Sequence, residues 1–526
     1  RSLAVAQGLE SCWIRRATAR LVVGSIHPEA MQEARSLERI QGRNVAQAAR
    51  WVYLLVNFVL VFNYTFVILD SDGLCAALGM SQGDSGRMVG NYMLGFCPGA
   101  FIMWYIARRT PGLWKSGPRR VLTAGLTFQL LGAATYAMVA CKATGMVRRM
   151  DPAEAHSGET SEPHDESSDF GSGAPAFAIA LLIGRFISGM GSGLCQQFYV
   201  ASMLHLTPVS ERPEHTTRWV FSGMLAIGAG PMAAAGLGLL RGHSTSASHL
   251  DFTHVGFGQI AVVLCAFGVV LGLHPDLESA KDEMETEVAA DGQVEMRSSK
   301  SQSAGCEVTS RRIMVVCGCL IMANLRAFGI SAVEVVTASL LEDEYGWKTH
   351  KIGVVIGLIF LCCVPLRAVH MALGSRMPVN SWIRMMGLVA LLGCCFLFRS
   401  TCAALTEIVG MHCAGTLVLA GVILFPTFYM GEALACGIMH QHVLPHGSRF
   451  DGNHSQLWYN LAQGAGRFLG PWLSRWATEA YGQNAFAIQQ MAVTCIFLVV
   501  FERCVRPNTR SLAKSTSGDS EARGDP

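Results

Sequence analysis

One stretch concentrates the side chains that could do chemistry: LLIGRFISGMGSGLCQQFYVASML, around Arg185. At helical spacing, Arg185, Ser188, Gly189, Ser192, Gln196 and Tyr199 share one face. They form a polar stripe along an otherwise apolar segment. A lone arginine this deep in such a segment costs a few kcal/mol to insert into lipid, so it must face a cavity or a partner. Two roles fit: a cavity cation that binds an anion or couples to protons, or a structural cation bonded to carbonyls of a neighbouring helix.

The elements that must position this stripe follow from length and apolarity. A helix of about 20 apolar residues crosses a hydrocarbon core of about 30 Å. Twelve such segments occur, six on either side of a long acidic stretch. Their expected bounds are 51–69, 88–107, 119–140, 176–204, 217–240 and 255–274, then 312–341, 351–373, 382–398, 405–431, 455–476 and 485–505. Composition agrees, with 51% hydrophobic residues and 15% charged, against roughly 25% charged in soluble domains. The net charge of +3 is too small to imply a nucleic-acid partner. The cysteines fall mostly inside the segments, which points to buried free thiols and not to disulfides or zinc.

The expected fold is therefore an all-α membrane protein with 12 transmembrane helices in two pseudo-symmetric six-helix halves, 51–274 and 311–505. Residues 1–50 read as a cytosolic N-terminal segment without the apolar core of a signal peptide. Residues 275–310, acidic and Ser-rich, read as a disordered cytosolic linker, and 506–526 as a disordered tail. Short-loop Lys and Arg set the orientation. Arg108, Arg109, Lys115, Arg119 and Arg120 lie between segments 2 and 3, and Arg376 and Arg384 at the entry to segment 9. The loop between segments 3 and 4 is acidic instead, from Asp151 to Asp169. Both termini are then cytosolic and the acidic loop is outside or in a lumen.

An internal repeat supports two halves. Segment 11 contains Gly466-Arg467-Phe468-Leu469-Gly470-Pro471, and segment 5 contains Ala226-Ile227-Gly228-Ala229-Gly230-Pro231 at the same ordinal place. Pro98 and Pro365 correspond likewise in segments 2 and 8. Small residues let backbones approach closely, and proline frees a carbonyl for bending, so Gly230, Pro231, Gly470 and Pro471 are expected to be flexible close contacts.

The run Arg185-x-x-Ser188-Gly189-x-Gly191-Ser192-Gly193 resembles the fourth-helix R-x-x-x-G-x-G motif of the major facilitator superfamily, and G-x-x-x-G-P resembles that family's fifth-helix motif. The basic loop WYIARRTPGLWKSGPRRVL stands where the family's G-x-x-x-D-R-x-G-R-R motif belongs. Arg108, Arg109, Gly117, Arg119 and Arg120 match it, whereas the Asp is missing and extra residues intervene. The resemblance covers roughly residues 50 to 505. AVEVVTASLLEDEYGW and NLAQGAGRFLGP are also similar to the eukaryotic branch with SPX-domain vacuolar phosphate transporters and lysosomal members. That likeness implies an endomembrane location and an inorganic anion, while the plasma membrane stays open.

The resemblance implies a central cavity lined by segments 1, 4, 7 and 10. Tyr53, Asn57 and Tyr64 share a face of segment 1. Segment 7 carries Asn324, Arg326 and Glu334, and segment 10 His412 and Thr416. With Arg185, Ser188, Ser192 and Gln196 these are the expected solute-binding residues. An arginine in each half, Arg185 and Arg326, suits an anion held by charge-assisted hydrogen bonds. Asn460, Gln463 and Arg467 in segment 11 are expected to face other helices. Arg108, Arg109, Arg119, Arg120 and Arg467 are expected to gate or brace the halves. The histidines His440, His442, His446 and His454 read as solvated loop residues, with no metal and no cofactor.

No Walker, G-x-S-x-G or H-E-x-x-H motif is present, which argues against a primary pump and most hydrolases. The expected protein is not an enzyme. It is a monomeric secondary transporter in a lipid bilayer, moving a small solute, an inorganic or organic anion, with a coupling proton or ion. The alternatives are a channel-like anion pathway on the same fold, or a transport-inactive receptor or scaffold.

Overall fold

In lipid an apolar segment has no hydrogen-bond partners but its own, so each segment must close its backbone bonds internally as a helix. The computed structural model describes residues 28–110, 112–113, 117–150, 174–207, 212–241, 252–275, 304–374, 376–444 and 448–512. In chain order the first half has α1 (Pro28–Thr65), the short α2 (Ser71–Ala77), α3 (Gln82–Arg109), α4 (Pro118–Met150), α5 (Ala174–His205), α6 (Arg212–Arg241) and α7 (Thr253–Leu273). The second half has α8 (Ala304–Asp343), α9 (Thr349–Leu361), α10 (Cys363–Leu373), α11 (Val379–Cys395), α12 (Arg399–Val409), α13 (Cys413–Gln441), α14 (Gly452–Tyr481) and α15 (Gln483–Val500). One π-helical turn, Phe501–Val505, continues α15 toward Leu512. Apart from a single bridge between Leu444 and Asp451, no strand occurs among the described residues. The acidic 3–4 loop, most of the linker, the first residues, the end of the tail and His446 lie outside the described residues.

Among the described residues nine helical stretches are long and apolar enough to cross a membrane, or ten if the bent pair α11 and α12 is one span. The other two long helices, α3 and α14, are too polar for that measure. Their polarity has a packing reason. α3 packs between α5 and α14, and α14 between α3 and α8, so much of each surface meets protein and not lipid.

Several expected boundaries move: α8 starts at Ala304, inside the stretch expected to be a disordered linker, and the last helical stretch runs to Leu512, inside the expected disordered tail. Segment 1 ends at Thr65, and 66–70 form a turn. The Thr65 hydroxyl bonds the carbonyls of Val61 and Phe62, both at 3.3 Å, and so competes with the helix ladder. Segment 10 was expected at 405–431, but its helix starts at Cys413, and residues 399–409 form α12, turned 79° from α11. Gly410 ends α12 with φ of 69°, a left-handed conformation that glycine adopts without steric cost.

The halves meet along α3–α14 and α6–α9. The two Gly-Pro elements lie at these seams: a Cβ on Gly86 of α3 would meet Pro471 O, and Cβ atoms on Gly353 and Gly357 of α9 would meet Pro231 O and Gly228 O. A Cβ on Gly230 would meet Thr65 and Phe66 at the end of α1, and one on Gly470 would meet Phe328 and Ser331 of α8. α1 and α8 hold the same ordinal place, so Gly230 and Gly470 make equivalent close contacts within their halves while Pro231 and Pro471 face the other half.

Candidate functional site

Between the halves lies a narrow cleft. The first half supplies Asn57 and Tyr64 from α1, Tyr92 and Phe96 from α3, Ser192 and Gln196 from α5, and Trp219 from α6. The second half supplies Tyr429 and Glu432 from α13, with Tyr459, Gln463 and Arg467 from α14. The wall is thus mostly aromatic rings and amides, with one acid and one cation.

Arg467 sits where α14 faces α8, α13 and, across the cleft, α1. Its Nη2 donates to Tyr429 Oη at 2.8 Å, and its Nη1 lies 3.6 Å from Glu334 Oε1 on α8. The guanidinium carbon is 5.7 Å from the Tyr64 ring centre and 5.8 Å from that of Tyr429. Glu432 Oε1 accepts from Tyr459 Oη at 2.9 Å and from Gln463 Nε2 at 2.6 Å. Its second oxygen is buried and has no hydrogen-bond partner among the described residues. In a low-dielectric site such half-satisfied charges interact strongly with any ion that enters.

The opposite wall is held from behind. Asn57 Nδ2 donates to Trp219 O at 3.1 Å and to Ser222 Oγ at 2.6 Å, while its Oδ1 accepts a short bond from Tyr199 Oη. Gln129 takes a bond from Asn63 at 2.5 Å and gives one to Tyr92 Oη at 2.7 Å, and Tyr92 donates to Leu60 O at 2.9 Å. These bonds fix the rings on the wall before any solute arrives.

Of the expected binding residues, Asn57, Tyr64, Ser192 and Gln196 line the cleft. Arg185 and Ser188 lie one layer behind. Arg185 Nη2 donates to Tyr64 O at 3.2 Å, with its guanidinium 4.8 Å from the Tyr92 ring centre, and Ser188 bonds Gln129 O at 3.3 Å. Tyr53 stacks on Tyr199 and reaches His274 at 3.3 Å. Glu334 is not on the wall but pairs with Arg467, which is. Asn324 is spent on Ala462 O at 2.8 Å.

Arg326, Thr416 and His412 are not on the wall. Arg326 is buried against the rings of Phe497, 3.6 Å away, and Phe428, 4.8 Å away, because α8 turns that face to α13 and α15. Thr416 and His412 mark the start of α13, whereas the cleft meets that helix farther along, at Tyr429 and Glu432. Arg108 and Arg109 cover Trp104 and Tyr105 on their own helix. Arg119 Nε donates to His274 O at 3.0 Å within the first half, and Arg120 is exposed.

Sequence reasoning missed Tyr92, Trp219, Tyr429, Glu432 and Tyr459. Glu432 did carry a signal, as an acid inside FYMGEALACG, one residue past the expected end of segment 10. It also missed a lock between the halves. Arg475 on α14 pairs with Asp72 on α2 and Ser85 on α3, and donates to Ser71 Oγ at 3.2 Å and Val335 O at 3.4 Å. Beside it Gln82 bonds Asp343 at 2.6 Å and Gly83 N bonds Glu479 at 3.1 Å. Toward the opposite end, Asn460 donates to Gln197 at 2.7 Å and Trp104 meets His454 at 5.2 Å. The halves are tied on both sides of the cleft.

The sequence model of the Major Facilitator Superfamily matches residues 52–443. No curated protein sequence matches. Among solved structures, a D-xylose–proton symporter is similar with a TM-score of 0.59 at 13% identity, covering 86% of this chain and 96% of its own. The Escherichia coli xylose transporter in a partially occluded inward-open conformation gives 0.56 at 12%, covering 87% and 97%. A bacterial homologue of the iron transporter ferroportin, in an inward-facing state, gives 0.51 at 14%, covering 88% and 98%.

Proposed function

Because this chain belongs to the major facilitator superfamily, we propose that it is a secondary transporter carrying a small organic anion through the central cleft by alternating access. The fold of an integral, multi-pass membrane protein and its transporter neighbours support the coarser part. The observation that carries the solute class is the charge balance of the core. Among the described residues, Arg185, Arg326 and Arg467 are buried near the cleft with Glu334 and Glu432, one positive charge in excess, while the buried Asp451 stands at the start of α14 and pairs with His454. Arg475 and Asp72 balance each other separately. A buried excess charge in low dielectric favours a counter-ion.

Of those three arginines, Arg467 lines the cleft. Its planar fork suits a carboxylate or phosphate group, and the tyrosine, tryptophan and amide wall suits an organic body. A solute anion at Arg467 competes with Glu334 for the same guanidinium. Once displaced, the Glu334 carboxylate is buried without its cation, and a proton taken up there neutralises that carboxylate. Anion and proton then move together, a coupling that is also named for the similar D-xylose–proton symporter.

The test is uptake of a panel of organic and inorganic anions into proteoliposomes, with a dye reporting internal pH. Accumulation of one organic anion against its gradient, with acidification, is the expected result. Passive current alone would identify a channel-like pathway, and absence of flux for every solute a receptor or scaffold. Selective uptake of a neutral sugar would overturn the anion reading while leaving the transporter intact.

A further inference from the structure

A second concavity lies away from the cleft, where α11 begins and α15 runs on into residues 501–512. An open groove lies there between the two helices. The polar side chains Asn380, Ser381, Arg384 and Arg506 line its rim together with the apolar Met385, Leu388 and Val389. Ser381, Arg384, Met385 and Leu388 follow the three-and-four spacing of one helix face. α11 alone therefore offers a graded surface, from hydroxyl to guanidinium to apolar side chains. Leu388 is 54% exposed, on a face turned to lipid.

The rim is cationic. Glu502 lies 3.2 Å from Arg384 and in a short contact with Arg506, so one carboxylate is shared by two guanidiniums. Arg503 and Arg510 are exposed on the same stretch, in which Glu502 is the sole acid. Arg384 itself is half exposed. On the orientation expected from the loop arginines, this rim stands at the cytosolic headgroup level.

We propose that this groove binds one anionic phospholipid, its phosphate between Arg384 and Arg506 and an acyl chain along Met385, Leu388 and Val389. Charge complementarity selects the headgroup: two guanidiniums and one carboxylate accept one more negative group. The apolar wall, continuous with the lipid-facing surface, selects a lipid over free phosphate. Glu502 is the internal competitor, because it holds both arginines when the groove is empty of lipid.

The experiment is native mass spectrometry of the full chain released from detergent after titration with phosphatidylglycerol or phosphatidylcholine. The expected result is one retained phosphatidylglycerol in preference to phosphatidylcholine. The double variant Arg384→Gln/Arg506→Gln should lose that preference roughly tenfold or more. Glu502→Gln should raise it, an opposite sign that a merely misfolded protein would not show. Equal retention of the two lipids, or no change in either variant, overturns the site. Displacement of the lipid by an equal concentration of inorganic phosphate overturns the assignment to a lipid. The readout needs no transport, so it stands apart from the proposed function.

Discussion

Arg467 is held by a neutral group, Tyr429, and an anionic one, Glu334, and each tests a different part of the coupling. Arg467→Lys keeps the charge but loses the fork, so solute affinity should fall roughly tenfold to a hundredfold, read as a raised KM in uptake. Glu334→Gln removes the competitor for the guanidinium. The expected outcome is tighter solute binding with uptake that no longer acidifies the vesicle, and unchanged acidification would remove Glu334 from the coupling. Arg185 has a different standing, because it joins α5 to α1 through Tyr64 O and lies over Tyr92. Losing a charged hydrogen bond and a buried cation–π contact costs about 2–4 kcal/mol. Arg185→Ala should therefore lower the Tm of the purified protein as well as transport. Full stability with lost transport would return Arg185 to a role in the cleft.

At the scale of elements, motion depends on contacts inside each half and on the lock between them. Gly470 lies against Phe328 and Ser331, and Gly230 against Thr65 and Phe66. A leucine at either site must push α14 from α8, or α6 from α1. Turnover should fall with KM little changed, and unimpaired turnover in both variants would mean that these contacts carry no part of the conformational change. The Arg475–Asp72 pair has an inter-half role. Removing one partner of a buried pair costs roughly 3–5 kcal/mol, and here the cost falls on the conformation closed at that end. Arg475→Ala should raise the labelling of Cys75, a buried thiol of α2 at that end, by a membrane-impermeant thiol reagent. Unchanged labelling would show that other contacts keep that end shut.

For the whole molecule, the arginine distribution makes a topological prediction. A tag in 151–173 should be reachable from the outer or lumenal side alone, and one in 276–303 from the cytosol alone. Finding both on one side would break the arrangement of two six-helix halves. The sequence by itself determined the segments and their helical state, because span length and apolarity answer to the bilayer and not to any neighbour. It also determined the family, through Arg185-x-x-Ser188-Gly189-x-Gly191 and the two Gly-Pro elements, and it put Asn57, Tyr64, Ser192 and Gln196 on faces that meet the cleft. Only the tertiary structure decided which buried charges reach that cleft. Spacing tells which residues share a helix face but not which helix covers it. Arg326 turns to Phe428 and Phe497 because α8 packs on α13 and α15, while Arg467, expected to brace other helices, stands on the wall with Glu432. Asp72 and Arg475 lie far apart in the chain, and neither alone signals a partner. They become a lock only when α2 and α14 are brought together, since a pair contact depends on the packing of both helices and is written in neither segment alone.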